Sequence, residues 1–453
     1  MWRWITTLGL VLGVLLVQER SQGSSAAHAP TGSSPGEHAL TLQQDDDVRR
    51  TVLPNGLVLL TKERPDPDAV AINIAVRAGS RDEDEATNGA AHFMEHMFFQ
   101  GTPRRPSALE VDRPITTRGG SLNANTQWEL INFNAVVRSA DVPIALDVLA
   151  DILLHALFEP AALEKERRVV LQELNARLNS PSTRASDAFF RTIFAGHPAQ
   201  HLPGGSPDTV LSISRETLLD FRERWFAANN MVIAVVGNIR HEEVVPLVEA
   251  AFRELPAREL PPRQPVQQDG PTPQQSVRIQ AGTHQAQVLV GVLAPSLHDP
   301  DRYAMAVLDA ALGGAGRRLY TEIRDRRGLA YSVGSFWVPL TDTGAWVASA
   351  GVDPENVDLV TDLILAEMRR LREEPLTPTE LEEAKSYLEG RSVLSLETNL
   401  GQARRYSTQE VLGVREPLRE YLARIRAVTA EDVQRVAQRV LDLENYTQVI
   451  VAP

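Results

Sequence analysis

The chain contains no cysteine. That absence excludes disulfides, zinc sites built from thiolates and lipid attachment at cysteine. Long apolar runs are also scarce: beyond the first 17 residues, no segment stays apolar for long enough to cross a membrane. Basic residues are in the minority, with a net charge of −13, and we expect no nucleic-acid partner.

The first 17 residues have the pattern of a signal-peptide core. One early positive charge, Arg3, precedes an apolar stretch that is short for a membrane span. Ala27-His-Ala29 provides an Ala-x-Ala cleavage site. We therefore predict a signal peptide over 1–29, a flexible tether over 30–47, and a periplasmic or secreted bacterial protein. The alternative is an uncleaved segment that anchors the chain to a membrane.

A proline-rich stretch, 255–274, divides the remaining sequence into two parts of similar length. Proline removes a backbone donor and disfavours regular structure, so this stretch is predicted to be a linker. It would separate an N-terminal domain, 48–254, from a C-terminal domain, 275–453. Each part has the length of an ordinary domain.

A faint internal repeat indicates that the two domains are homologous. Ile213-Ser-Arg-Glu216 recurs as Val428-Thr-Ala-Glu431, each with a Ser or Thr that can cap a helix, and a β-branched strand follows each. Earlier strands, such as Val70-Ala-Ile-Asn-Ile-Ala-Val76, fit sheets covered by helices on one face. The predicted fold class is α+β, with two homologous domains, each a mostly antiparallel sheet packed with helices.

A short run, His92-Phe-Met-Glu-His96, carries the strongest chemical signal. Asn88 can cap the start of its helix, and Gly101 suits a left-handed turn after the end. His92 and His96 are four residues apart and share one helix face, so their imidazoles can bind one Zn²⁺. Glu95 can lean over that metal and take a proton from water. This order is the inverse of the commoner His-Glu-x-x-His motif.

Chance must be weighed against this interpretation. With ten histidines in the chain, the pattern should arise by accident about once per hundred such sequences. A second pair with the same spacing, His197 and His201, has no carboxylate between its members and lies among proline and glycine. We interpret that pair as part of a polar loop.

A catalytic zinc site usually needs a third protein ligand on another element. The segment that starts at Pro160 is predicted to be a helix, because proline suits a first helical position. Glu166 and Glu173 lie two turns apart on one face of it. From spacing alone, the alternative is a solvated charged face whose glutamates pair with basic neighbours, namely Lys165, Arg168 or Arg177.

The two segments together resemble the pitrilysin (insulinase-like) metallopeptidase family, which includes mitochondrial processing peptidase and half-length bacterial members. The resemblance implies His92, His96 and Glu173 as the ligands of one zinc ion per chain. It implies Glu95 as the general base, and Glu166 as a carboxylate that supports the ligands.

Further segments extend the resemblance. Gly119-Gly-Ser-Leu-Asn-Ala-Asn-Thr126 is similar to the family's edge strand, which holds a peptide in extended form, with Asn123 and Ala124 at substrate-binding positions. In the second half, Arg324 and Tyr331 match an Arg/Tyr pair that reaches into the catalytic chamber. The resemblance implies that this pair binds the substrate backbone and stabilises the developing oxyanion.

The sequence thus predicts a secreted or periplasmic zinc endopeptidase that hydrolyses peptides in an enclosed chamber. The family's larger members enclose their chamber with four such domains, and this chain has two. A homodimer, or a heterodimer with a related chain, would then supply Arg324 and Tyr331 across the interface. The alternative function is that of a binding or assembly subunit in a paired complex whose partner performs catalysis.

Overall fold

The computed structural model describes residues 47–65, 68–263, 274–314 and 316–453. The predicted signal peptide (1–29) and all but the last residue of the predicted tether (30–47) lie outside the described residues. The central part of the predicted linker lies outside them as well.

The first half of the described chain forms one sheet and the helices that follow its strands. Its elements are β1 (Arg49–Val52), β2 (Val58–Glu63), β3 (Val70–Val76), α1 (Ala90–Phe98), α2 (Ala108–Thr116), β4 (Ser121–Thr126), β5 (Ile131–Val137), α3 (Val142–His155), α4 (Pro160–Leu178), α5 (Pro181–Ile193), α6 (Pro207–Ser212), α7 (Arg215–Trp225), β6 (Met231–Gly237) and α8 (His241–Ala251).

The second half forms another sheet with its own helices. Its elements are β7 (Gln275–Gln280), β8 (Ala286–Leu293), α9 (Arg302–Leu312), β9 (Ala330–Pro339), β10 (Gly344–Val352), α10 (Val357–Glu373), α11 (Pro378–Ser395), α12 (Asn399–Val411), α13 (Leu418–Ala427), α14 (Ala430–Val440) and β11 (Thr447–Ala452). A π-helical turn, Tyr320–Asp325, precedes β9. Among the described residues, none of the helices combines the length and apolar character that a bilayer crossing requires.

Apart from the additional strand β1, the two sheets have the same strand order. The first runs β1-β2-β6-β3-β5-β4 and the second β7-β11-β8-β10-β9. In each, the last strand of the half inserts between two others, parallel to one neighbour and antiparallel to the other. The Ser214 and Thr429 side chains cap the helices that precede those strands. The predicted fold of two homologous, mostly antiparallel α+β domains is therefore confirmed.

Each sheet is covered on both faces, and the second cover comes from the opposite half of the chain. Helix α12 packs on β3 and β6 of the first sheet, where Ala403 and Tyr406 contact alanines and valines of the strands. Helix α5 packs on β8 and β11 of the second sheet through Phe189 and its neighbours. The prediction that helices cover only one face was wrong. The residue pattern of a strand does not reveal that a helix from a distant part of the chain packs on its second face.

Close approach of α5 requires a glycine in the second sheet. A Cβ on Gly291 would lie 2.6 Å from Cζ of Phe189 and 2.3 Å from the carbonyl oxygen of Trp346. The first part of the predicted linker also packs. Leu255 is buried, and the guanidinium of Arg263 lies 4.9 Å from the ring centroid of Trp225. The two halves thus pack against each other through apolar contacts and are not joined by a flexible linker alone.

Replacing Phe189 by alanine should lower the free energy of unfolding by about 3–5 kcal/mol, because the ring is fully buried between the halves and its loss leaves a cavity. Denaturant unfolding monitored by tryptophan fluorescence would measure the change. Leu211→Ala, which removes an exposed apolar side chain, is the control and should shift stability by less than about 0.5 kcal/mol. Equal effects of the two changes would contradict the packing role of Phe189.

Candidate metal centre

A buried carboxylate, and not the predicted amide, holds the start of α1. Glu83 accepts hydrogen bonds from the backbone N–H groups of Gly89 (2.8 Å) and Ala91 (2.6 Å). The side chain of Asn88 does not cap the helix; it donates to Glu83 and to the carbonyl of Leu202. The expectation of an Asn88 cap was therefore wrong. Burial raises the pKa of Glu83 to about 8, although the N–H donors favour its charged form.

Gly89 is the residue just before the helix, with φ of +104°. A side chain there would meet Gly205 and Val210 at 3.2 Å, so glycine is required both by conformation and by space. Helix α1 ends at Phe98, three residues before Gly101, whose φ of +135° fits the predicted turn. The local sequence thus fixes a nine-residue helix whose direction is set by Glu83.

Three side chains from two helices converge in front of α1. One oxygen of Glu173, on α4, lies 3.8 Å from Nε2 of His92 and 3.5 Å from Nε2 of His96. The three possible ligand atoms all lie within 4.8 Å of one another. Two imidazole nitrogens and one carboxylate form a common donor set for Zn²⁺, so these residues fit the metal that their spacing predicts.

Helix α4 presents Glu173 from a row that runs beside its buried apolar stripe. It begins at Pro160, as predicted, and buries Leu163, Val170 and Leu174 against the first core. The side chains of His92 and Glu173 are each 20% exposed, whereas His96 is buried. Solvent and substrate can therefore reach the centre from the side of His92 and Glu173.

Glu166 lies behind His96 and not on a solvated face. Its Oε2 is 3.3 Å from Nδ1 of His96, and the carboxylate is buried. An acceptor in this position takes a hydrogen bond from Nδ1–H of His96 and so fixes the tautomer that leaves Nε2 available as a ligand. Burial opposes protonation of His96, but the carboxylates of Glu166 and Glu173 outweigh it and raise the pKa of His96 to about 10.

Glu95 faces the same space and is held by the first sheet. The hydroxyl of Thr126, the last residue of β4, donates to Oε2 of Glu95 at 2.6 Å. Burial raises the pKa of Glu95 to about 7, with the charge of Glu173 acting in the same direction and His96 opposing it. Thr126 closes the edge-strand motif quoted above, yet its role was not anticipated. Glu83 was missed too, because no spacing rule links it to α1.

Strand β4 is the outer strand of the first sheet, and within the described ranges no strand pairs with its other backbone edge. Asn123 is half-buried, and its side chain accepts a hydrogen bond from the N–H of Ala124 at 2.9 Å. Ala124 is buried. The strand that carries this edge also contacts α1 directly.

Arg324 and Tyr331 lie in the second half, around the start of β9. The guanidinium of Arg324 sits between two aromatic rings, 5.0 Å from the centroid of Tyr320 and 5.5 Å from that of Tyr331. Tyr331 is 77% exposed on the outer strand of the second sheet. The structure thus keeps this pair together and presents it at the surface.

The second histidine pair lies in the loop between α5 and α6, as predicted, but part of that loop is buried. His197 is fully buried, and its Nε2 lies 3.4 Å from Oδ1 of Asp342 in the second half. His201, half-buried, follows the 3₁₀ turn Pro198–Gln200. The burial of His197 was not predicted, because its carboxylate partner lies far away in sequence.

Comparison with known families agrees with this geometry. Residues 58–202 match the family model described as Insulinase (Peptidase family M16). Residues 212–388 match the model described as Peptidase M16 inactive domain. The boundary between the two matches therefore separates the three converging residues from Arg324 and Tyr331.

Individual relatives match over nearly the whole chain. An uncharacterized zinc protease of Streptomyces coelicolor is 34% identical over 92% of this chain and 91% of its own. A probable mitochondrial-processing peptidase subunit beta of Arabidopsis thaliana is 31% identical over 87% of this chain and 76% of its own. Among solved structures, a protease from Helicobacter pylori matches with a TM-score of 0.84 at 23% identity, covering 90% of this chain and 99% of that one. By these sequence matches, the chain belongs to the insulinase family of peptidases, family M16.

Proposed function

We propose that the chain is a zinc-dependent endopeptidase. The observation that carries this proposal is the convergence of His92, His96 and Glu173 within 4.8 Å, with Glu95 buried beside them. Two imidazoles and a carboxylate are a donor set that would hold zinc and leave room for water or substrate. The relatives named as zinc proteases support the same chemistry.

Zinc bound by His92, His96 and Glu173 would supply a Lewis acid that polarises the scissile carbonyl. Glu95 accepts the proton of the attacking water and later donates it to the leaving amine. Thr126 holds the Glu95 carboxylate in place for both transfers through its 2.6 Å hydrogen bond. Glu166, beside Nδ1 of His96, keeps that imidazole oriented with Nε2 toward Glu173, where zinc would bind.

The proposed substrates are peptides in extended form. Strand β4 is the outer strand of its sheet and contacts α1, and a peptide added to it would be bound by main-chain hydrogen bonds at Asn123 and Ala124. Such pairing places a peptide bond near Glu95, because Thr126 ends the same strand. Cleavage within a chain follows, since this binding does not depend on a peptide terminus.

We further propose that Arg324 and Tyr331 act across a dimer interface, in a homodimer or with a related chain. The exposure of Tyr331 and the name of the Arabidopsis relative, a subunit, support this arrangement. The competing function, that of a non-catalytic assembly subunit, is little supported by the inactive-domain match, because that match begins at residue 212, after the metal centre.

We also propose that 1–29 directs export to the periplasm or beyond, which N-terminal sequencing of the exported chain would test.

The first prediction concerns metal content. The purified chain should contain one zinc ion, and His92→Ala, His96→Ala or Glu173→Ala should each lose it, because three protein ligands are the minimum for such a site. Atomic absorption on folded protein would measure zinc. His284→Ala, which removes an exposed histidine, is the control and should retain the metal. Full zinc in Glu173→Ala would remove Glu173 from the ligand set.

The second prediction concerns the general base. Glu95→Gln should keep zinc and fold but lose activity by about 10²–10⁴-fold, because glutamine has the shape of glutamate and cannot accept the proton. A fluorogenic peptide assay on the chain expressed alone, with and without chelator, would measure the loss. Glu85→Gln makes the same charge change at an exposed position and should leave the rate unaltered. If the zinc-loaded parent itself is inactive, the assembly-subunit function is favoured.

The third prediction concerns assembly. Glu95→Gln and Tyr331→Phe chains should each be nearly inactive alone, but mixing them should restore roughly a quarter of parent activity, because about half the dimers are mixed and each has one complete site. Differently tagged chains would establish that subunits exchange. As a control, the double variant mixed with Glu95→Gln should recover nothing. Exchange without recovery in the main experiment would place Tyr331 outside a shared site.

A further inference from the structure

A buried ionic cluster joins the two halves close to the metal centre. Arg81 donates to both oxygens of Asp342, at 2.9 and 2.7 Å, and also to Glu129. The side chains of these three residues are only 6–7% exposed. Glu129 in turn accepts from the backbone N–H of Thr341 at 3.0 Å. One cation from the first half is thus held by one carboxylate from each half.

The cluster brings together equivalent turns of the two domains. Residues 127–130 connect β4 to β5, and residues 340–343 connect β9 to β10. These strand pairs occupy the same positions in their sheets, so the halves meet hairpin to hairpin. His197, 3.4 Å from Asp342, closes the cluster from the side of the first half.

The first hairpin turn begins immediately after Thr126, which holds Glu95. Its backbone is fixed by the Arg81 segment: the N–H of Ser80 donates to the carbonyl of Gln127 at 3.1 Å, and the N–H of Arg81 to that of Trp128 at 3.0 Å. Arg81 therefore donates to this turn twice: its backbone N–H bonds to Trp128 and its side chain bonds to Glu129.

The same segment also leads to the metal-binding helix. Glu83, two residues after Arg81, caps α1, and Asp82 between them accepts from the N–H of Gly79 at 2.9 Å. Residues 79–83 thus touch the start of α1, the turn after β4 and the second half of the chain at once. Movement of Arg81 would be transmitted to both sides of the catalytic centre.

We propose that Asp342 is a positioning residue: by fixing Arg81 and, through it, the turn at Glu129, the C-terminal domain sets the placement of Thr126 and Glu95. The second domain then contributes to catalysis within its own chain, independently of Arg324 and Tyr331. This inference rests on the proposed peptidase function. Loss of Asp342 removes two of the hydrogen bonds that hold the buried Arg81 guanidinium, at 2.9 and 2.7 Å, so the local arrangement must shift.

Asp342→Ala should reduce kcat by about ten- to a hundred-fold while KM stays within about two-fold, since small misplacements of a catalytic group cost rate more than binding. Zinc content should be unchanged. Asp342→Glu restores the carboxylate and should recover most of kcat. The matched control is Arg64→Gln, which removes a different contact between the halves, the 2.6 Å hydrogen bond from Arg64 to Asn399. It should alter stability without altering kcat.

A double-variant cycle tests the route of this effect. If Asp342 acts through Thr126, then Thr126→Val combined with Asp342→Ala should be no slower than the slower single variant. If the losses in kcat of the two single variants multiply in the double variant, Asp342 does not act through Thr126. If Asp342→Ala has the same kcat as Arg64→Gln, the ionic cluster only connects the domains and does not position Glu95.

Hydrogen exchange separates failure of this inference from failure of the proposed function. Asp342→Ala should accelerate exchange in peptides covering 121–130, and Arg64→Gln should not, whether or not the parent cleaves peptides. An inactive parent with this exchange pattern would refute the peptidase function and retain the structural coupling. An active parent with unchanged exchange in Asp342→Ala would refute the coupling.

Discussion

Each sheet of this protein buries one face with helices of its own half and the other with a helix borrowed from the opposite half. Helix α12 covers the first sheet and α5 the second. Apolar burial stabilises by roughly 25 cal/mol per Å² removed from water, so a sheet face left open would cost heavily. Because α12 and α5 each pack on the sheet of the opposite half, they fix the two halves against each other. The contact between the hairpin turns of the two halves depends on this packing.

The metal centre concentrates negative charge in a buried place. Glu95, Glu166 and Glu173 lie around two histidines, and burial alone disfavours that many carboxylates. A divalent cation bound there would offset the repulsion between them. The fold supplies the rest of the support locally: a carboxylate at the start of α1, a hydroxyl at the end of β4, and an apolar stripe beneath α4.

The sequence predicted what local patterns encode. The spacing of His92 and His96, the proline start of α4 and the capped repeat all appear in the structure where expected. Contacts between distant segments were not predicted. Glu83 displaced Asn88 as the cap because a charged acceptor six residues upstream can reach the helix start only through a folded-back chain. The burial of His197 in its loop was not predicted for the same kind of reason, since its partner is Asp342.

The borrowed helices have a consequence for how the chain acquires its structure. The strands of the first sheet are complete at residue 237, but the helix that covers its outer face ends at residue 411. A chain made or exported from its N-terminus would carry an uncovered apolar sheet until its last quarter arrives. Such a surface is prone to aggregation, and a fragment ending within 255–274 would keep it uncovered. The proline-rich stretch is therefore a poor place to divide the protein, although it is where the sequence suggests a boundary.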